Sequence, residues 1–221
     1  MEYERILAVG DIHGRFDRLV SVMKKVSFRP SCDLLVFLGD YIDRGSQPLA
    51  CMDYVMELQE KYPDSVIALK GNHEALALDY LIGENRNGLI WLDNGGQPSL
   101  RELIRLDDAE LYKHLDWMRF LPTNFRYRNF LFCHAGVNLS RTLEEQTEDD
   151  FLWTRGSKFV YSYDGRFGTL VVGHTLVQKL DFAPVPQFLD NGVILCDTGA
   201  FVENGFLSCV DVLHKTVWQS G

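Results

Sequence analysis

The chain has 221 residues, of which 46% are hydrophobic and 24% are charged. This length and composition are typical of one globular domain that buries a core without stabilising crosslinks, so we predict a single domain over residues 1–221. The formal net charge of −9 argues against a nucleic-acid partner, because phosphate backbones are bound by clustered lysine and arginine.

Three units of strand, polar loop and helix follow one another in the first third of the chain. Apolar runs at 5–9, 33–38 and 65–70 predict the strands, and helical spacing of apolar residues at 16–26, 48–58 and 75–82 predicts the helices. Such units in series predict right-handed crossovers and a largely parallel sheet. Ligands of such sheets bind beyond the carboxyl ends of the strands, where all three polar loops fall.

The rest of the chain is richer in strands. A loop at 83–96 and helices at 100–106 and 109–118 predict a helical, cap-like insertion at about 83–122. The later predicted strands lie at 123–127, 130–133, 169–172, 193–196, 205–213 and 216–218. We therefore expect a mixed α/β fold in which two mixed β-sheets pack face to face, rather than one doubly wound sheet.

The cysteines and the N-terminus indicate a cytoplasmic protein. Five cysteines, an odd number, occur without a Cys-x-x-Cys pair, which favours reduced thiols. The first residues lack the basic flank and apolar centre of a signal peptide, and no apolar stretch is long enough to cross a bilayer. We therefore expect no membrane partner.

Five of the apolar runs end at side chains that can bind cations or transfer protons. These residues are Asp11 and His13, Asp40 and Asp43, Asn72 and His73, His134, and His174. One such residue alone is more often part of a turn or a hydrogen-bonded core, but five strand ends are unlikely to share this feature by chance. The sequence therefore predicts that these side chains converge on one site.

The ligand types restrict the metal. Carboxylates, imidazoles and a carboxamide oxygen suit Mn²⁺, iron or Zn²⁺ better than soft Cu⁺. Six such ligands exceed what one open catalytic ion requires, so we expect two divalent ions, with Mn²⁺ as the first candidate and iron or zinc as alternatives.

Five short motifs carry a family resemblance. They are Gly-Asp-Ile-His-Gly at 10–14, Gly-Asp-Tyr-Ile-Asp-Arg-Gly at 39–45, Gly-Asn-His-Glu at 71–74, His-Ala-Gly at 134–136 and Gly-His-Thr at 173–175. Together, and in this order, they resemble the phosphoprotein phosphatase family of metallophosphoesterases, in its compact bacterial and bacteriophage-lambda serine/threonine type. The resemblance implies a four-layer αββα sandwich.

The resemblance also implies roles for individual residues. Asp11 and His13 would hold the first ion, Asp40 would bridge both ions, and Asn72, His134 and His174 would hold the second. The general acid would be His73, with its ring oriented by Asp43. The phosphoryl oxygens of the substrate would be bound by Arg44, Arg155 and Asn72.

The implied reaction is removal of phosphate from phosphoserine and phosphothreonine in proteins, with phosphotyrosine left open, by direct attack of a hydroxide that bridges two metal ions. The segment 91–96 resembles the bacterial and phage members, so no dedicated regulatory subunit is implied. One alternative is a symmetrical diadenosine tetraphosphatase, whose third motif usually ends in Asp where this chain has Glu74. The other is a scaffold without catalysis, which would be expected to have lost a ligand.

Overall fold

Two five-stranded sheets form the centre of the protein in a computed structural model that describes residues 2–83 and 88–221. The strands are β1 (Arg5–Val9), β2 (Asp33–Phe37), β3 (Val66–Ala68), β4 (Asn124–Tyr127), β5 (Phe130–Cys133), β6 (Thr169–Val172), β7 (Gln187–Phe188), β8 (Val193–Leu195), β9 (Ser208–Asp211) and β10 (Thr216–Gln219). The helices are α1 (Phe16–Val26), α2 (Pro48–Lys61), α3 (Asn72–Leu81), α4 (Gly88–Trp91), α5 (Gln97–Leu103), α6 (Asp108–Phe120), α7 (Glu148–Trp153) and α8 (Ser157–Ser162).

Each sheet contains three adjacent parallel strands. The first has the order β10-β9-β1-β2-β3, in which β1, β2 and β3 are parallel to one another, β9 is antiparallel to β1, and β10 is antiparallel to β9. The second has the order β4-β5-β6-β8-β7, with β5, β6 and β8 parallel and β4 and β7 antiparallel on the two edges. The prediction of two mixed sheets flanked by helices is therefore confirmed.

Successive side chains of a strand point to opposite faces of the sheet, so alternate residues of one strand pack into different layers. Ile6 of β1 packs between the sheets with Phe132 of β5, whereas Leu7 belongs to the core shared with α1 and α2. The outer face of the second sheet, including Leu131, packs against Val160 of α8. The chain thus has the order of layers helix, sheet, sheet, helix.

The loops that follow the parallel strands contact one another at one edge of the two sheets. The backbone N–H of Ile12 donates to the carbonyl of Asp40 at 3.0 Å, and the backbone N–H of Gly173 donates to the carbonyl of His134 at 2.8 Å. The backbone N–H of His174 in the second sheet donates to the carboxylate of Asp11 in the first. One edge therefore collects the polar loops of both sheets.

The predicted loop at 83–96 is wrong from residue 88 onward, since residues 88–96 are helical. Gly83 is not helical, and residues 84–87 lie outside the described residues. Helix α4 continues into a π-helical turn at Leu92–Gly96, in which Gly95 has φ +98°. The cause is the burial of Trp91, whose ring lies against Gly96 in the core shared with α3 and α6. Whether 83–122 forms a cap stays a prediction.

None of the helices in the described ranges has the length and apolar character needed to span a bilayer. All five cysteine thiols are free; Cys32 is half-buried and the other four are buried.

Candidate active site

Each of the six parallel strands is followed by a polar side chain that lies at the shared edge of the two sheets. The residues that follow them are Asp11 and His13 after β1, Asp40 after β2, Asn72 and His73 after β3, His134 after β5, His174 after β6, and Asp197 after β8. Every one of these side chains is buried. The structure thus brings the six predicted metal-ligating residues together with His73 and adds Asp197, which the sequence analysis did not select.

The carboxylate of Asp40 lies between two groups of histidines. Its Oδ2 atom is 3.4 Å from Nε2 of His13 and 3.9 Å from Nε2 of His73, and its Oδ1 atom is 3.5 Å from Nε2 of His134. The donor atoms of His13, Asp40 and His73 lie within 4.8 Å of one another, as do those of Asp40, His134 and His174. Asp40 is the one member common to both groups, so its two oxygens could serve two ions.

Backbone carbonyls fix the tautomers of two of these histidines. Nδ1 of His13 lies 3.1 Å from the carbonyl oxygen of Ile42, and Nδ1 of His134 lies 2.9 Å from that of Leu38. A carbonyl only accepts hydrogen bonds, so each Nδ1 carries the proton and each Nε2 keeps a lone pair. Both lone pairs face the Asp40 region, which is the orientation that a metal ligand requires.

The second group, Asp40, His134 and His174, has a further potential metal ligand in the Asn72 side chain. Nε2 of His134 is 2.8 Å from Oδ1 of Asn72 and 3.0 Å from Nδ1 of His174. Asp11 lies outside both groups, because its two carboxylate oxygens accept the backbone N–H of His174 at 3.1 and 3.0 Å. Asp11 is therefore placed beside the centre, bonded to the neighbouring loop.

The protonation states and the unpaired atoms fit a site for divalent cations. Burial lowers the pKa of His13 and of His134, and lowers that of His174 to about 2, so these rings are neutral. Burial raises the pKa of Asp40, but the positive charge that the surrounding imidazoles carry when protonated outweighs it and holds the pKa well below its usual range. Nε2 of His174 is buried and has no hydrogen-bond partner among residues 2–83 and 88–221. Neutral imidazoles, one ionised carboxylate and an unsatisfied ring nitrogen are what metal binding requires.

His73 is held by a buried network around Asp43. Its Nδ1 atom is 2.5 Å from Oδ2 of Asp43, which also accepts the indole N–H of Trp91 at 2.7 Å. The hydroxyl of Ser99 donates to Oδ1 of Asp43 at 2.6 Å. Burial lowers the pKa of His73, but the nearby Asp40 and Asp43 outweigh it and raise this pKa. The hydrogen bond from Nδ1 to Asp43 thus fixes the orientation of the His73 ring.

Trp91 and Ser99 were not predicted as site residues. They lie 48 and 56 positions from Asp43 in the chain, and both come from the helical segment between β3 and β4. The sequence does contain Trp91 in the 91–96 segment, which could have been noticed. Local spacing, however, does not show that Trp91 contacts Asp43.

Glu74 joins two of the ligand-bearing loops. Its carboxylate accepts the backbone N–H groups of Asp40 at 2.9 Å, Tyr41 at 2.8 Å and Gly71 at 2.8 Å. It therefore does more than begin α3. Burial and the charge of Asp40 raise the pKa of Glu74 to about 7, against the opposing effect of the backbone N–H groups. A Cβ atom at Gly71 would lie 2.2 Å from Oδ1 of Asp40, so only glycine fits there.

The Arg44 side chain lies over the first histidine group. Its two terminal nitrogens are 2.7 Å from Nε2 of His13 and 3.0 Å from Nε2 of His73, and its guanidinium stacks 4.1 Å from the ring centroid of Phe201. One lone pair cannot serve both a guanidinium and a metal ion. The guanidinium must therefore leave His13 when an ion binds there.

A cavity of about 520 Å³ opens onto the centre. Its lining includes Arg44, Arg155, His174, Lys179, Asp197 and Phe201. Burial raises the pKa of Asp197 to about 6, although the backbone N–H of Gly199 opposes this shift. The cations on the lining can bind an anionic substrate group next to the histidines.

Asp197 could have been found from the sequence. It follows the apolar run of β8 directly, as Asp11, Asp40 and His134 follow or closely follow theirs, and the same criterion applied to a sixth strand would have selected it.

Comparison with known proteins is consistent with this geometry. Residues 4–196 match the calcineurin-like phosphoesterase family. The chain belongs to that family. The loops that carry the histidine groups around Asp40 all lie within the matched range, and the fold and metal-binding type expected from the sequence motifs are those of a metallophosphoesterase.

Named relatives of this phosphoesterase fall into two groups. Serine/threonine-protein phosphatase 1 of Salmonella typhimurium is 32% identical over 203 residues, which cover 87% of this chain and 88% of that protein. The symmetrical bis(5'-nucleosyl)-tetraphosphatase of Vibrio cholerae is 29% identical over 130 residues, which cover 59% of this chain and 44% of that protein. The first relative confirms the resemblance to phosphatases of the phosphoprotein phosphatase type.

A solved structure with the provisional name diadenosine tetraphosphatase superposes with a TM-score of 0.72 and 22% sequence identity. The superposition covers 97% of this phosphoesterase and 92% of that chain. At this identity the likeness shows the fold alone.

Replacing Glu74 by Gln should weaken Mn²⁺ binding by about 10- to 100-fold, the usual effect of losing a group that orients metal ligands. An amide offers one acceptor oxygen where the carboxylate offers two, so the loop that carries Asp40 loses part of its support. Isothermal titration calorimetry with Mn²⁺ measures the affinity.

Glu102→Gln is the matched control, because Glu102 accepts the backbone N–H of Leu49 at 2.9 Å and joins α5 to α2 rather than the ligand-bearing loops. Equal Mn²⁺ affinities of the Glu74→Gln and Glu102→Gln variants would contradict the role given to Glu74.

Proposed function

We propose that this phosphoesterase removes phosphate from phosphoserine and phosphothreonine residues of proteins. The observation that carries the proposal is the Asp43–His73 pair, which lies beside the Asp40 centre and next to a cavity lined by Arg44 and Arg155. The relative named as a serine/threonine-protein phosphatase matches this chain over nearly the full length of both, which supports the proposal.

The chemistry of the leaving group explains why the proposed reaction needs the Asp43–His73 pair. A serine or threonine alkoxide is a poor leaving group, so its oxygen must receive a proton as the bond to phosphorus breaks. Asp43 accepts from Nδ1 of His73, which directs Nε2 towards Asp40 at 3.9 Å. The Arg44 guanidinium, 3.0 Å from Nε2, only donates hydrogen bonds, so it must move away from His73 when Nε2 carries a proton. We assign to Nε2 of His73 the transfer of that proton.

We assign the binding of the phosphoryl group to the arginine side chains that line the cavity. Arg44 reaches both His13 and His73, and Arg155, in the loop between α7 and α8, lines the same cavity. The planar guanidinium matches two oxygens of a phosphoryl group. The Asn72 side chain, 2.8 Å from His134, is assigned to the second ion and to a phosphoryl oxygen.

We propose two divalent ions, Mn²⁺ first, held by His13, Asp40 and Asp11 on one side and by Asp40, Asn72, His134 and His174 on the other. When bound, such ions lower the pKa of water and neutralise phosphate charge. Asp11 must rotate from the backbone N–H of His174 to take part, since its oxygens are 3.0 and 3.1 Å from that nitrogen.

The second candidate is hydrolysis of a dinucleoside polyphosphate. A cavity of about 520 Å³ that also contains Lys179 and the ring of Phe201 is larger than a phosphoryl group requires, which favours this candidate. The relative from Vibrio cholerae carries the corresponding name.

Phosphoproteins of the cytoplasm are the proposed substrates, with no dedicated regulatory subunit. The five free thiols support that location.

A comparison of two substrates with the Mn²⁺-loaded protein tests the proposal. We expect kcat/KM for a phosphothreonine peptide to exceed that for diadenosine tetraphosphate by about tenfold or more, a moderate specificity ratio for substrates that differ in size and charge. The reverse ranking would replace the proposal by the nucleotide enzyme. Absence of both activities and of bound metal would identify a scaffold.

Replacing His73 by Asn should lower kcat on a phosphoserine peptide by about 10²-fold or more, since a general acid contributes 10²–10⁴-fold. The loss on p-nitrophenyl phosphate should be smaller, because nitrophenolate leaves without protonation. Steady-state kinetics measures both, and metal analysis should give unchanged metal content.

His214→Asn is the matched control, because His214 is exposed and pairs with Asp211 at the start of the β9–β10 turn. Equal losses on the two substrates in the His73→Asn variant would contradict proton transfer by His73.

A further inference from the structure

A second cavity, of about 360 Å³, adjoins the first, and Arg155 lines both. Its lining includes Asn138, Leu139, Thr154, Arg155, Lys158 and Phe159. The proposed reaction uses the first cavity and leaves the second without a role.

The second cavity presents two cations that have no hydrogen-bonded or ion-paired partner in the described part of the chain. The side chains of Arg155 and Lys158 are exposed, and neither forms a hydrogen bond or an ion pair with any residue in the ranges 2–83 and 88–221. Asp150 supplies the one carboxylate of the described lining, and it already pairs with Arg141 at 2.5 Å and with Asn138 at 3.2 Å. On a chain with net charge −9, unpaired cations beside an active site favour an anionic ligand.

The wall that carries Lys158 is fixed to the metal-binding loop. A Cβ atom at Gly136, two residues after His134, would lie 2.6 Å from the ring of Phe159 and 2.9 Å from Cγ2 of Thr154. Val160 of α8 belongs to the outer core of the second sheet, and its carbonyl accepts from the side chain of Asn191 at 2.8 Å. The backbone of Lys158 therefore has a defined position relative to His134.

We propose that this second cavity is a subsite for an acidic side chain of the polypeptide substrate, close in sequence to the phosphorylated residue. The inference rests on the proposed function. A carboxylate would pair with Lys158 and Arg155, and the methylene groups of a glutamate would contact Leu139 and Phe159. Side chains two positions apart point to the same side of an extended peptide, so the acidic residue should be two positions from the phosphothreonine.

Apolar contacts distinguish a glutamate side chain from a phosphate group in this cavity. The described lining combines the two cations with Val137, Leu139 and Phe159, and phosphate groups gain nothing from apolar surface. The side-chain amide of Asn138 is held by neighbouring residues, because one N–H of its Nδ2 donates to Asp150 and its Oδ1 accepts from the backbone N–H of Ser140.

The test uses phosphothreonine peptides that differ at one position, two residues before or two residues after the phosphothreonine, with Glu, Gln or Lys there. For the wild-type protein with Mn²⁺, we expect kcat/KM for the Glu peptide of one of the two series to exceed that for its Gln peptide by roughly five- to tenfold. In the Lys158→Glu variant the Glu/Gln ratio should fall to one or below, and the Lys peptide should become the preferred substrate of that series. The ratio cancels any general change in catalysis.

Lys24→Glu is the matched control, because it changes the net charge equally at an exposed position in the last turn of α1. It should keep the wild-type Glu/Gln ratio. The same ratio in the Lys158→Glu and wild-type proteins, or a change of equal size in the Lys24→Glu variant, would overturn the subsite.

The wild-type protein separates this inference from the proposed function. If all of the peptides are hydrolysed with equal kcat/KM, the subsite is wrong and the phosphatase proposal stands. If diadenosine tetraphosphate is hydrolysed and none of the peptides is, the proposed function is wrong and the peptide subsite falls with it.

Discussion

The structure of the site depends on placing one carboxylate, that of Asp40, in a buried position among histidine rings. A buried charge costs several kcal/mol unless partners surround it. Here the backbone N–H of His73 donates to Oδ1 at 3.0 Å, and the rings of His13 and His134 lie 3.4 and 3.5 Å from the two oxygens. Each of these partners comes from a different strand end. The two sheets, which pack face to face, must therefore have the carboxyl ends of their parallel strands at the same edge for Asp40 to be stable.

This convergence strains the backbone. Five site residues have left-handed backbone angles, namely His13, Asp40, Asp43, Arg44 and His174. Each costs roughly 1–2 kcal/mol in a residue with a Cβ atom, and such strain persists only where the surroundings impose it. Glu74 supplies part of that constraint through the backbone N–H groups of Asp40, Tyr41 and Gly71. The same hydrogen bonds that hold the loops together therefore also hold the ligands in positions that the free chain would avoid.

Much of this arrangement follows from local sequence. Apolar runs that end in polar loops predicted the strands that are parallel in both sheets, with the six residues proposed as metal ligands after them, because strand direction alone brings those loops to one edge. Features that depend on contacts between residues far apart in the sequence could not be predicted from local sequence. The helical turn around Trp91 and its bond to Asp43 arise from packing across 48 positions, and α8 forms where Phe159 meets the backbone of Gly136. Asp197 was within reach of the sequence argument, since it follows a strand in the same way as the ligands.

The sharing of Asp40 by two histidine groups is the central claim, and the electron paramagnetic resonance spectrum of the Mn²⁺-loaded protein tests it most directly. Two Mn²⁺ ions that share one carboxylate are close enough for their spins to couple. As Mn²⁺ is added, the spectrum should change from that of isolated ions to that of a spin-coupled pair, and the Asp40→Asn variant should not form the pair. A six-line spectrum of isolated Mn²⁺ at saturation would contradict the account.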